Sequence, residues 1–354
     1  MTGLMRLQPR AVLRGGEVHW LNGTEALASS GYTLLSRPSL EGVWRRIGCV
    51  PAGWLKRVSC RVGPLSRLLR LGIHNVQRLP TGTILAVAGG RIYRSTDGGR
   101  SFEATHRFRL GRKPAYVGFT VLSTGQVCYG EYVPQVERTH PIAIYRSDDD
   151  GRTFAEVHRF EAGQVRHVHF IQQDPYEPGV WVGTGDLGEE CRILRSIDGC
   201  ETFETVGRGS QAWRAVSLMF RRDAVYWGTD AGRDADREVN RIYRWDRKGG
   251  RLEPIQEVQG PVHGSTQLSD ETMLISTGVE GGVNERDDRA HLWASRNGRE
   301  WHEIGSWKKD IWPFRVQYGV IHFAHGQQTG TVLHLNLRGL KGHGRSCLIA
   351  TIEE

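Results

Sequence analysis

Lysine is scarce in this chain of 354 residues: six, at positions 56, 113, 248, 308, 309 and 341, stand beside 41 arginines. The arginines are scattered, with no basic run and no recognisable nucleic-acid module, so nucleic acid is not an expected partner. Cysteine is sparse too. The six, at 49, 60, 128, 191, 200 and 347, contain no CxxC pair and fall short of a secreted disulfide scaffold. Long apolar runs are missing, which argues against a transmembrane helix and a membrane partner. The opening Met1-Thr2-Gly3-Leu4-Met5-Arg6-Leu7 lacks the apolar centre of a secretory signal, so the default expectation is a cytoplasmic protein. GxSxG, HExxH and P-loop motifs are absent as well, and no cofactor is expected.

Turn chemistry is what the chain has in quantity. There are 45 glycines and 31 Trp, Tyr and Phe residues, a mixture suited to many short strands. One phrase recurs. Ser95-Thr96-Asp97-Gly98-Gly99-Arg100-Ser101-Phe102 follows Arg91-Ile92-Tyr93-Arg94; Ser147-Asp148-Asp149-Asp150-Gly151-Arg152-Thr153-Phe154 follows Ile144-Tyr145-Arg146; Ser196-Ile197-Asp198-Gly199-Cys200-Glu201-Thr202-Phe203 follows Ile193-Leu194-Arg195. Ser and Asp bond nearby backbone NH groups, Gly accepts positive φ, and the aromatic closes the turn, so each phrase predicts a hairpin. Worn copies appear at Asp246 and Asn297, and the markers 97, 149, 198, 246 and 297 lie 52, 49, 48 and 51 residues apart.

The phrase resembles the Asp-box, or BNR repeat, Ser-x-Asp-x-Gly-x-Thr-Trp/Phe, of sialidases and other β-propeller proteins, with Cys200 replacing the usual glycine in the third copy. The resemblance implies an all-β fold, one β-propeller domain over 1–354 built of four-stranded antiparallel blades. Hairpins are expected near 32–48, 91–104, 143–156, 192–205, 241–255 and 291–304. A closing blade over 312–354 takes in the N-terminal segment. Seven blades fit the period, six if the first and last segments merge. The stretch from Trp54 to Leu71 reads as a short helix or an outer strand.

In such a fold the loops opposite the Asp-boxes carry the site. There the second strands end in a carboxylate after a small residue: Glu131, Asp186, Asp230 and Glu280. Strand entrances add His74, His167, His169, Gln211, Trp213, Arg214, His263 and Arg315, and Tyr132 follows Glu131. Alternation places His167 and His169 on one side of their strand. Acids, imidazoles, Arg and Trp around a funnel suit a polysaccharide or oligosaccharide, including an anionic one. The leading expectation is a glycoside hydrolase working by paired carboxylates, with Glu131, Asp186, Asp230, Glu280, His167 and His169 as catalytic residues and His74, Tyr132, Gln211, Trp213, Arg214, His263 and Arg315 binding substrate. The alternatives are a polysaccharide lyase using His167, His169, Tyr132 and Arg214 on a uronate, and a non-catalytic propeller that binds a glycan or protein partners. Sialidases of this fold carry Phe-Arg-Ile-Pro near the start, whereas Pro313-Phe314-Arg315-Val316 lies in the last unit, so a sialidase proper is not implied. His167-x-His169 with Asp186 or His263 offers metal ligands, but the spacing is common and no metal is expected. Strand-end carboxylates that satisfy their own loops, core histidines and a packed Trp213 are the structural alternatives.

Overall fold

The computed structural model describes residues 5–38, 42–60, 62–69, 71–328 and 332–353. The first four residues, the loop positions 39–41 inside the 32–48 hairpin, and residues 329–331 and 354 of the closing blade lie outside the described residues. Each repeated phrase folds as its chemistry dictates. The Ser95 hydroxyl accepts from Gly99 NH at 2.9 Å, Ser147 from Gly151 NH at 2.9 Å and Ser196 from Cys200 NH at 2.9 Å. Each aspartate then accepts from the backbone and hydroxyl of the residue four positions on, Ser101, Thr153 or Thr202. Burial pushes the Asp149 carboxyl up, but the bonds from Thr153 and Ser147 outweigh it and bring the pKa to about 2. The turn residue has φ of 92° at Gly99, 77° at Gly151 and 74° at Cys200.

These turns join the third and fourth strands of antiparallel blades. Ile73–Arg78, Ile84–Ala88, Arg91–Ser95 and Glu103–Arg107 form one; Phe119–Val121, Val127–Gly130, Ile142–Ser147 and Ala155–Phe160 the next; His167–Gln173, Val180–Gly185, Arg192–Ser196 and Glu204–Arg208 a third. Met219–Phe220, Ala224–Gly228, Arg241–Asp246 and Leu252–Glu257 make a fourth, and Val262–Gln267, Met273–Thr277, Arg289–Ser295 and His302–Lys308 a fifth. The sixth pairs Arg6–Arg14 with Arg345–Glu353, beside Val332–Arg338 and Val320–Phe323, so the N-terminal segment shares a sheet with the last strands. The seventh contains Glu17–Leu21, Ala26–Ser30, Thr33–Arg37 and Arg45–Cys49, with the two-residue strand His325–Gly326 added in parallel to Glu17–Leu21. Seven blades are therefore present.

Second strands such as Ile84–Ala88 and Ala224–Gly228 are buried along their whole length, which is why they read as apolar runs. Fourth strands such as Glu103–Arg107 stay largely in solvent. A register shift recurs between third and fourth strands at Ile92/Tyr93, Ile144/Tyr145, Ile193/Leu194, Ile242/Tyr243 and Leu292/Trp293, and a bulge repeated at one place increases the twist of each outer hairpin.

The chain divides into two compact units, Leu27–Arg37 with Gly42–Arg214, and Met1–Ala26 with Pro38–Glu41 and Ala215–Glu354. The first unit has a core around Leu122, Ile144, Val168, Val182 and Leu194, and another around Leu85, Ile92 and Tyr129. In the second unit the cores gather around Leu274, Leu292, Ile321 and Leu335, and around Met219, Tyr226 and Ile275. Each fully buried Leu or Ile contributes about 1.5–3 kcal/mol, so such clusters dominate stability. The open question over Trp54 to Leu71 resolves to helix: α1 spans Trp54–Ser59 and α2 spans Gly63–Leu68, with Pro64 in the first turn of α2, where its missing NH costs nothing. Neither helix buries a residue.

Candidate functional site

Two triads form, one in each unit. His167 and His169 stand on the first strand of their blade, and Asp186 follows Gly185 at the end of the adjacent second strand. A Cβ on Gly185 would lie 3.1 Å from His169 Cε1 and 3.4 Å from Arg214 Cγ, so glycine lets imidazole and guanidinium close on the carboxylate. His169 Nε2 lies 2.9 Å from Asp186 Oδ1 and His167 Nε2 lies 3.4 Å from it, while the two Nε2 atoms are 2.9 Å apart. His167 Nδ1 donates to Val133 O at 2.9 Å, and the exposed Tyr132 ring stacks on His167 with centroids 4.1 Å apart. Arg166 Nη1 binds Asp186 Oδ2 at 2.6 Å, and Arg214 Nη2 lies 3.2 Å from Oδ1. Gln211 Nε2 and Arg214 Nη1 donate to the Asp186 carbonyl at 2.8 and 3.1 Å.

Burial alone would raise the Asp186 pKa. The hydrogen bonds from His167 and His169 and the Arg214 charge prevail and hold it well below the usual carboxylate range. Burial pulls His169 down in turn, only partly offset by Asp186. A fixed anion beneath imidazoles can orient a base or bind a cation, but it cannot serve as a general acid near neutrality.

The second triad repeats the plan. His263 lies on the first strand Val262–Gln267, Gly278 follows the second strand, and Glu280 comes two residues later. A Cβ on Gly278 would meet His263 Cδ2 at 2.1 Å. His263 Nε2 pairs with Glu280 Oε1 at 3.0 Å, and Asp230 completes a group whose ligand atoms all lie within 4.8 Å. Burial lowers the His263 pKa, but Glu280, Asp230 and Glu285 outweigh it and raise it above the ordinary value. Arg233 NH donates to Glu280 Oε2 at 3.2 Å, and burial raises both Glu285 and Tyr318 beside it.

Glu131 has a loop-closing role. Arg109 Nε donates to its Oε1 at 3.1 Å, and Ala143 NH donates to Oε2 at 2.9 Å. Trp213 packs on Gly207, where a Cβ would lie 2.2 Å from its ring. His74, half-buried on Ile73–Arg78, and the exposed Arg315 belong to neither triad. Arg109, Arg166, Arg233 and Glu285 were not singled out from the sequence, although Arg166 directly precedes His167. Among the described residues no helix is long and apolar enough to cross a membrane.

No protein-family model and no curated protein matches the chain. Solved structures do match it. One is a chain of a structure described as "Crystal Structure of Mitotic Checkpoint Complex", with TM-score 0.58 and 10% identity, covering 98% of this chain and 92% of that one. At that identity the likeness shows the fold alone: this chain has the fold of a seven-bladed β-propeller.

Proposed function

We propose that the chain is a non-catalytic β-propeller scaffold that docks a protein partner through α1 and α2. The observation that carries this reading is the set of apolar side chains these helices leave in solvent: Trp54, Leu55, Val58 and Leu68 are each more than half exposed, and Leu65 and Leu69 add to them. Large apolar side chains left in solvent along one stretch of chain mark an interaction surface. Lys56, Arg57 and Arg67 lie among them, and residues 42–96 contain no Asp or Glu. An apolar groove rimmed by carboxylates is the complementary surface. The mitotic checkpoint complex chain shows that the same fold serves within a protein assembly. The Asp-box resemblance is compatible with this role, since the repeated phrase builds hairpins.

The engagement of the candidate acids supports the same reading. Glu131 is bound by Arg109, and Asp186 by two histidines and two arginines. One feature favours the hydrolase as a second reading: Asp230 and Glu280 bring carboxylate oxygens within 4.8 Å of each other, a carboxylate pair of the kind glycoside hydrolysis uses.

The test pairs two assays. Partner proteins captured from the source cell are purified and titrated against the full chain and a Trp54→Ser/Leu55→Ser/Leu68→Ser variant; the variant should bind at least about tenfold more weakly. In parallel, neutral and acidic polysaccharides are followed for reducing ends and unsaturated uronates. Equal binding by the variant sinks the docking reading, as does binding only to anionic vesicles. Turnover lost in Asp230→Asn or Glu280→Gln would establish the hydrolase, and turnover lost in His167 or Tyr132 variants the lyase.

A further inference from the structure

We propose that His167, His169 and Asp186 form a binding site for a divalent transition metal, of which zinc is the first probe. This inference is independent of the docking reading and reverses the expectation, drawn from spacing alone, that no metal is bound. It begins with three converging ligand atoms. His167 Nδ1 donates to Val133 O, which turns its Nε2 toward His169 Nε2, 2.9 Å away. Both nitrogens face Asp186 Oδ1, at 3.4 Å from His167 and 2.9 Å from His169. Two imidazole nitrogens and a carboxylate oxygen thus stand within 3.4 Å of one another, a donor set and a closeness that one divalent cation satisfies together.

The dimensions agree. A circle through the three atoms has a radius of about 1.8 Å, so an ion about 2.0–2.1 Å from each sits about 1 Å off their plane. Two imidazoles and one carboxylate suit zinc and its first-row neighbours rather than magnesium or calcium. The outer contacts are those a metal ligand needs: the Val133 carbonyl orients His167, and Arg166 holds Asp186 through Oδ2, leaving Oδ1 to face the imidazoles. Arg214, 3.2 Å from Oδ1, is the cation that must share this oxygen. Asp230, His263 and Glu280 also bring three ligand atoms within 4.8 Å of one another, with His263 Nε2 3.0 Å from Glu280 Oε1, so a variant in each group tells the two apart.

The experiment uses the full chain, stripped with chelator and titrated with zinc, cobalt, nickel and manganese in competition with a chromophoric chelator. One equivalent should bind. His169→Ala and Asp186→Asn should each weaken zinc binding about 100-fold or more, Arg214→Gln should tighten it, and His263→Ala should leave it unchanged. The melting temperature of the wild type should rise with zinc and fall back with chelator. If the site variants fail to fold, X-ray absorption on the zinc-loaded wild type replaces them and should show two imidazoles and oxygen. No binding at millimolar metal, binding that survives both site variants, or a different ligand set overturns the proposal.

Discussion

Glu17 shows how much a single residue carries. It is buried, with Arg338 on both of its oxygens and Arg345 Nη2 at 2.7 Å. Burial would raise its pKa, but the two arginines hold the carboxyl well below its ordinary value. Glu17→Gln, measured by denaturant titration, should cost about 3–5 kcal/mol, because two half-buried guanidinium groups lose their counter-charge. A lowered folded pKa gives stability that is complete above the unfolded value near 4.5 and drains away as pH falls below it. His263 has the opposite sign. Its raised pKa gives stability that is complete below about 6.5 and lost as pH rises through the folded value, so wild-type melting temperature should decline on the alkaline side. His263→Gln should remove that decline. If the variant keeps the same alkaline slope, the Glu280, Asp230 and Glu285 charges are not what holds the proton.

Position 200 sets two residue-scale effects against each other. Cys200 is fully buried yet holds a φ of 74°, where glycine stands in the other copies. Cys200→Gly relieves strain of about 1–2 kcal/mol and gives up a comparable burial, so its stability should fall within about 1 kcal/mol of wild type. Gly151→Ala has no such compensation, since the added Cβ would sit 2.7 Å from Leu85 Cδ2, and should cost about 1–3 kcal/mol. Residue by residue, the sequence placed Asp186 and Glu280 at strand ends and His169 and His263 at strand entrances. That they meet in pairs came only with the fold. Arg109 and Arg166 stayed hidden because 41 arginines look alike in a string, and only the fold selects which of them meets a buried acid.

At the scale of elements, α1 and α2 show the limit of periodicity. Leu65, Leu68 and Leu69 fit a helical stripe, but short apolar runs fit an outer strand equally well. Pro64 in the first turn of α2 favours helix, a signal that is weak alone. Because these residues contact solvent rather than a core, Trp54→Ser and Leu68→Ser should each shift stability by no more than about 0.5 kcal/mol. A loss of several kcal/mol on thermal melts would mean that the helices hold the fold together. The hairpins of the repeated Ser-x-Asp phrase are the contrary case. Their bonds are local, four residues apart, so a string of eight residues specified both the turn and the strands it joins.

For the whole molecule, the near-50-residue period narrowed the blade count to seven or six because five successive units carry full or worn copies of one hairpin phrase. What the period left ambiguous was the beginning and end, where six and seven blades remained open. The pairing of Arg6–Arg14 with Arg345–Glu353 explains why: the sixth blade is assembled from segments more than 300 residues apart, which no local pattern can announce. Arg6, Pro9, Arg10 and Arg14 lie along the outer edge of that blade. Replacing Pro9, Arg10 and Arg14 with Val should leave the melting temperature within a few degrees while lowering the yield of soluble protein on refolding. Unchanged yield would remove any protective role for these residues.

That pairing also sets a schedule. Bringing together strands some 340 residues apart costs about 5 kcal/mol of chain entropy, against about 2 for a ten-residue turn. During translation at about 5–20 residues per second, Arg6–Arg14 is made roughly 15–70 seconds before Arg345–Glu353. Within its blade the strand made first is the strand paired last, and the arginines and proline along it are the residue types that blunt an unpaired edge over that interval.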